Sequence, residues 1–292
     1  MIDPALQNRV VVVTGANNPF GIGAGAAKAL AAQGARVFLH YLRGTEKPAP
    51  DTDRSTPGEA FYYAQQAKTP DAVLRAIEDL GGRAHAWETD LSDASAAGAL
   101  FDEVERVWGP VEILVNNAAH STHDTFIPPG KHLRNTRVEL TRDERPAPVT
   151  AESVDRHFAV NTRAVALLMA EFARRHVDRD ARWGRVINVS TAGAYVFPSE
   201  VSYGASKLAL EAYTRSAAAE LGQFGITVNA VSLGPVQTGW IAPALESALL
   251  STIPLGRIGS PEEVADVIVF LASEQARWVS GQTIFVGGGH GM

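Results

Sequence analysis

Tyr203 and Lys207 lie in the stretch Ser202-Tyr203-Gly204-Ala205-Ser206-Lys207. On a helix this spacing sets them one turn apart on the same face. A free phenol, with a pKa of about 10, is a poor base at neutral pH. A neighbouring ammonium stabilises the phenolate and lowers that value. The pair is therefore a candidate proton donor and acceptor for alcohol–ketone chemistry. The spacing alone is weak evidence, so its weight rests on the elements that would position it.

Composition narrows the field. The chain has 292 residues, 46% apolar and 20% charged, which suits a soluble globular protein with a substantial core. A net charge of −6 gives no basic field for nucleic acid or an anionic membrane. Cysteine is absent, which excludes disulfides, thiolate metal sites and a thiol nucleophile. His120 and His123 stand without neighbouring ligands in the sequence, so no metal is expected. The start, Met1-Ile2-Asp3-Pro4, lacks the basic segment and apolar core of a secretory signal. No apolar run is long enough to span a bilayer, and a cytoplasmic location is expected.

Strand and helix patterns alternate along the chain. Arg9 to Thr14, with Val10-Val11-Val12-Val13, reads as a short buried strand. Gly15-Ala16-Asn17-Asn18-Pro19-Phe20-Gly21-Ile22-Gly23 follows, then an Ala-rich helix from about Ala24 to Gln33, then a second strand, Val37 to Tyr41. This order is the first unit of a dinucleotide-binding fold, in which glycines let backbone N–H groups approach a pyrophosphate. Further strands are expected at 84–89, 113–115, 185–189, 227–231 and 282–286. Helices are expected at 71–80 with Asp71 as N-cap, 92–108, 152–177 as one long helix holding Asn161, 203–221, and 261–272 capped by Ser260. Two polar insertions, about 43–70 and 120–150, read as surface excursions, the first ending in a short helix at 59–67. The second follows the C-terminal end of a strand, where a lid or recognition loop would lie. Residues 1–292 thus read as one doubly wound α/β domain, a seven-stranded parallel sheet flanked by helices.

An ordered set of motifs resembles the short-chain dehydrogenase/reductase family. It comprises Thr14-Gly15…Gly21-Ile22-Gly23, Asp90-Leu91, Asn116-Asn117-Ala118-Ala119, Asn161, Ser190-Thr191, Tyr203-x-x-x-Lys207, Asn229…Gly234-Pro235…Thr238 and Arg257-Ile258-Gly259…Pro261-Glu262-Glu263. The tail, Gly281-Gln282…Val286…Gly288-Gly289, resembles the 3-oxoacyl-carrier-protein reductase type. The resemblance implies a Rossmann-type domain that interconverts a ketone, or a 3-oxoacyl group, and a secondary alcohol by hydride transfer. Tyr203 would exchange the proton, Lys207 would depress its pKa and hold the nicotinamide ribose, and Asn161 would support a relay water. Gly15, Asn17, Asn18, Gly21, Ile22 and Gly23 would form the pyrophosphate loop. Asp90 and Leu91 would hold the adenine, Asn117, Ala118 and Ala119 would line the cofactor, and Pro235, Val236 and Thr238 would fix the carboxamide. Counting back from the tyrosine indicates Ser190 as the substrate-orienting hydroxyl, and counting from Gly184 indicates Thr191. Ser190, a primary alcohol, is favoured, and Thr191 stays open.

The chain departs from the family pattern in places. The glycine loop is two residues longer than usual, Ala119 replaces a glycine, Leu233 replaces a proline and Gly287 replaces an acid. The second strand ends in Tyr41, with Arg43 following, where NAD-preferring members carry Asp. With no carboxylate there to repel a 2′-phosphate and an arginine to meet it, NADP is favoured over NAD. Substrate choice is expected from residues 239–253, where Trp240, Ile241 and Leu245 would form an apolar lid, and from the insertion after Ala119. The partners implied are a small ketone, alcohol or acyl thioester and further copies of the chain, as a homotetramer or homodimer. A silent nucleotide-binding regulator and a lyase or isomerase are the alternatives on the same fold.

Overall fold

Successive strand side chains point to opposite faces, so continuous apolar runs such as Val10–Val13 must be covered on both sides. The computed structural model describes residues 3–44, 54–131 and 146–291 and meets this demand. The stretch Lys47-Pro48-Ala49-Pro50 and the charged middle of the second insertion lie outside the described residues. The elements run β1 (Val10–Thr14), α1 (Ile22–Ala32), β2 (Arg36–Tyr41), α2 (Glu59–Gln66), α3 (Asp71–Asp79), β3 (Arg83–Glu88), α4 (Ala96–Trp108) and β4 (Ile113–Asn116). They continue through β5 (Asp124–Thr125), β6 (Ala147–Pro148), α5 (Ala151–Phe158), α6 (Val165–Asp178), β7 (Gly184–Thr191) and α7 (Val201–Leu221). Last come β8 (Ile226–Leu233), α8 (Pro243–Leu250), α9 (Pro261–Ala272) and β9 (Thr283–Val286).

Seven parallel strands form one sheet in the order β3-β2-β1-β4-β7-β8-β9. Val11, Val13, Ile113 and Ile187 face the core shared with α1 and α9. Val10, Val12, Leu114 and Val186 face the core shared with α4, α6 and α7. The chain leaves β1 towards β3 and returns to β4 on the other side of β1. The loops after β1 and β4 therefore flank the crevice where such sheets bind ligands.

Several boundaries differ from expectation for local reasons. Asp71 opens α3 as its first residue, with Pro70 at the cap position, and its carboxylate accepts from Thr69 Oγ at 2.8 Å. Helix α4 starts at Ala96, because Asp90 and Asp93 accept the backbone N–H groups of Ser92 and Ser95 and hold the preceding chain in turns. Ser260 caps α9 as expected, in a reciprocal box with Glu263. The long helix is interrupted by a π-helical turn at Ala159–Ala164, which contains Asn161. The second insertion is anchored by the short pairing of β5 with β6.

Helix α7 takes its N-terminal support from that insertion. Its own N-cap, Glu200, gives no side-chain cap. The buried Asp124 instead accepts from Ser202 N at 2.9 Å and from Ser153 Oγ at 2.9 Å. Burial pushes the Asp124 carboxyl up, but the bonds from Ser202 and Ser153 outweigh it and hold it below the ordinary value. Asp124→Ala, which leaves the buried Ser202 N–H without its acceptor while Ser153 Oγ keeps the Thr150 carbonyl, is expected to lower unfolding free energy by about 1–3 kcal/mol in urea titrations. A depressed carboxylate stabilises the fold above its unfolded pKa of 3.8, and that stabilisation is lost as pH falls below it. The gap between wild type and variant should therefore narrow as the titrations move into that acid range.

Candidate active site

Tyr203 and Lys207 sit in the first turns of α7, and Lys207 is 2% exposed. The Lys207 Nζ donates to the Val189 carbonyl of β7 at 2.8 Å and lies 5.9 Å from the Tyr203 ring centroid. Burial pushes the Lys207 ammonium down to about 8. Tyr203 goes the opposite way to the simple two-residue argument. Burial, then the Glu200 carboxylate, then the Tyr62 phenol, raise it well above its ordinary value. Desolvation is the largest of these, so Tyr203 is held as a neutral phenol, able to donate a proton. The rings of Phe197 and His157 flank it at 6.0 and 6.4 Å.

The π-helical turn is drawn against α7 by its side chains. Asn161 Oδ1 accepts from His120 N at 2.8 Å, while its amide donates to His120 O at 2.8 Å and to Ser206 Oγ at 2.9 Å. Thr162 Oγ donates to the Ser206 carbonyl at 2.9 Å. The Asn161 side chain thus ties the loop after β4 to the Tyr–Lys helix and is fully engaged in doing so.

The two candidate hydroxyls behave differently. Ser190 Oγ, buried, donates to the buried Glu211 carboxylate of α7 at 2.7 Å. Thr191 Oγ accepts from Gly193 N at 3.3 Å, and its own proton has no acceptor among the described residues. Strand alternation is the reason: adjacent side chains at the end of β7 point to opposite faces.

The glycine loop forms a cradle for a dinucleotide phosphate. Gly15 takes φ +69°, and a Cβ on Gly23 would strike the Gly15 carbonyl and come 2.6 Å from the Asn117 amide. That amide donates to the carbonyls of Thr14 and Gly15 at 2.8 and 2.9 Å. Thr14 Oγ accepts from Asn117 N and Ala118 N at 2.9 and 3.0 Å. Gly21 caps α1 without any side-chain bond, leaving the N-terminal N–H groups of Ile22 and Gly23 for an anion. Asp90 is exposed beside the buried Leu91, and Ala119 is exposed beyond Ala118. Pro235 O and Gln237 N pair with Gly259, which turns the backbone of Val236 to the opposite side. These residues fit a nicotinamide dinucleotide.

Not every residue picked out in the loop faces that cradle. The buried Asn17 amide donates to the carbonyls of Gln66 and Lys68 at 2.8 and 2.9 Å, beyond the end of α2. Asn18 Nδ2 donates to the Thr238 carbonyl at 3.3 Å, and its Oδ1 accepts from Phe20 N at 3.0 Å. Arg43 is also engaged. It pairs with Glu88 through Nε at 2.9 Å and through its terminal nitrogen at 2.9 Å. A carboxylate does therefore stand near the end of β2, supplied by β3, where Tyr41 and Glu88 are register partners. Sequence reasoning along β2 alone could not find it.

Other missed residues belong to the same frame. His40, buried, donates to Thr89 O at 2.9 Å and accepts from Gly15 N at 3.4 Å. Desolvation pushes it down to about 4, so it stays neutral and fixes the loop's first glycine. Helix α2, read as a surface helix, packs its Tyr62 and Tyr63 edge-on against Trp240 at 5.4 and 6.1 Å. Ile241, next in the chain, is buried, 5% exposed. No sequence signal linked Tyr62 to Tyr203.

The chain is similar to known proteins over nearly its full length. Residues 15–290 match the family model described as enoyl-(acyl carrier protein) reductase. An uncharacterized oxidoreductase of Bacillus subtilis, YjdA, is 35% identical over 285 residues, covering 97% of each chain. The NADPH-dependent aldehyde reductase 2, chloroplastic, of Arabidopsis thaliana is 34% identical, covering 97% of this chain and 94% of its own. A hydroxynaphthalene reductase-like protein of Metarhizium brunneum is 31% identical, covering 98% and 96%. The solved short-chain dehydrogenase/reductase of Serratia marcescens superposes with a TM-score of 0.75 at 28% identity, covering 98% and 99%. With the parallel sheet, the glycine cradle and the Tyr–Lys helix in place, the chain belongs to the short-chain dehydrogenase/reductase family and is an NAD(P)-dependent oxidoreductase.

Proposed function

We propose that the protein reduces a ketone to a secondary alcohol, with Tyr203 as proton donor and NADPH as the preferred coenzyme. The observation that carries the reading is the Tyr203–Lys207 pair, with its phenol held neutral beside a lysine buried under the first turn of α7. A nicotinamide dinucleotide held by the glycine loop and the Pro235–Thr238 segment would supply the hydride. Tyr203 Oη gives its proton to the carbonyl oxygen as negative charge develops there, and the Lys207 ammonium stabilises the phenolate left behind. Thr191, rather than Ser190, orients the substrate oxygen, since the Ser190 hydroxyl is engaged by Glu211. With its side chain engaged, Asn161 would support the relay water through the backbone of its π-helical turn. The oxidation of an alcohol follows the same steps in reverse. Two relatives named as reductases, one of them NADPH-dependent, support the reductive direction and the coenzyme. Exposed Phe270, Phe285 and Trp278, on or beside the last helix and strand, favour an oligomer formed through that face.

Tyr203→Phe is expected to lower kcat by about 10²–10⁴-fold while NADPH still binds by nicotinamide fluorescence. A variant with most of its activity would remove Tyr203 from the acid–base role. For the coenzyme, Arg43→Ala should weaken NADPH relative to NADH by about 10-fold or more, the worth of a charged hydrogen bond. Glu88→Gln, which releases Arg43 from its partner, should shift the same ratio towards NADPH. Equal changes for both coenzymes would place Arg43 away from the 2′-phosphate.

The buried lysine also has a stability signature. With the Lys207 pKa depressed from 10.5 to about 8, the unfolded chain binds the proton more tightly. The charged side chain then costs the cofactor-free fold stability at pH 7. Lys207→Met is expected to abolish turnover yet raise the unfolding free energy by ~1–3 kcal/mol at pH 7. That gain should shrink as pH rises from about 8 towards 10.5 in denaturant titrations.

A further inference from the structure

The first insertion packs against the segment after Thr238, and its Tyr62 lies near enough to Tyr203 to raise it. Gly58 N donates to the Gly239 carbonyl at 2.8 Å, fixing the start of α2 against the segment after Thr238. The Asn17 amide fixes its end. Gly239 fits this contact closely: its φ is +87°, and a Cβ would come 2.6 Å from the Phe61 ring. Phe61 also meets Phe20 of the lengthened glycine loop at 5.1 Å.

From α2 the rings continue towards the proton donor. Tyr62 stands at 86° to Trp240, and Trp240 meets His123 at 6.1 Å. His123 Nδ1 lies 3.7 Å from Glu200, three residues before Tyr203. Phe197 closes on Tyr203 from its own loop. Such rings offer flat faces and edges that a flat partner can match by offset or edge-on packing. The Glu200 carboxylate, which raises Tyr203, adds negative charge beside the proton donor and disfavours an anionic substrate group there. Tyr62 Oη accepts from Gln66 Nε2 at 2.9 Å, and its own proton has no acceptor among the described residues.

We propose that Tyr62 and Trp240 are specificity-determining residues, forming the wall of a substrate chamber for an uncharged carbonyl compound that carries a flat ring. This rests on the ketone-reductase reading and narrows it, away from straight acyl chains on anionic carriers. It also gives the insertion after β2 a role at the reaction centre.

The test compares wild type, Tyr62→Phe and Tyr62→Ala with NADPH and two ketones, 2-tetralone and 2-octanone. Wild type should prefer 2-tetralone in kcat/KM by about 10-fold or more, and Tyr62→Ala should erase that preference mainly through KM, as loss of a hydrophobic wall does. Tyr62→Phe, which keeps the ring, should retain it. A preference that survives Tyr62→Ala, or no preference in wild type, overturns the proposal. Calorimetric binding of 1-naphthol to the NADP-loaded protein gives a readout without turnover. Tyr62-dependent binding with no reduction of either ketone would keep the chamber and defeat the reductase reading. Reduction of 2-octanone with no naphthol binding would do the reverse, and neither binding nor turnover would defeat both.

Discussion

The site depends on a polar helix face buried against the end of a sheet. The buried residues of α7 include Ser202, Ser206, Lys207, Glu211 and Thr214, with Leu210 the one large apolar side chain among them. A surface helix ordinarily turns an apolar stripe inwards. Here polar groups do so, and each needs a partner if the helix is to stay in place. Val189 O meets Lys207, Ser190 meets Glu211, Asn188 meets Thr214 at 2.8 Å, and Asn161 meets Ser206. These bonds set the height and rotation of α7 over the strands, and through them the position of Tyr203.

That network explains why the two charged-state preferences in the site diverge. The environment that holds Lys207 in place also strips it of water and lowers its proton affinity. The same desolvation raises Tyr203, with Glu200 adding to it. The protein without cofactor is therefore set as a neutral acid beside a weakly held ammonium. This suits donation of a proton to a carbonyl oxygen more than abstraction from an alcohol. The arrangement is costly to the fold, as functional sites often are.

A second dependence joins the lengthened glycine loop to the insertion after β2. The lengthened glycine loop carries Asn17, Asn18 and Phe20. Their side chains reach the end of α2, the Thr238 carbonyl and Phe61. Asn18 also holds the glycine loop itself, its carbonyl accepting from Gly21 N at 2.9 Å. Asn17 and Phe20 dock the insertion after β2 onto the glycine loop. An inserted loop and an inserted helix, far apart in sequence, form one contact.

Much of this protein was legible from local pattern. Strands that are apolar without alternation require a sheet covered on both faces, and glycine placement after β1 requires close approach of backbone, so the fold and the phosphate cradle follow from short-range rules. Tyr203 and Lys207 were legible for the same reason, since helical spacing alone puts them on one face. Contacts between distant segments were not. Glu88 reaches Arg43 only through the pairing of β2 with β3, and Asp124 reaches the start of α7 only because the second insertion folds back. Which face of β7 meets Glu211 engages Ser190 rather than Thr191, and the sign of the Tyr203 shift turned on burial. Spacing reports neighbours along one element. Desolvation and cross-strand pairing depend on what other elements bring to the same place, and only the packed chain fixes that.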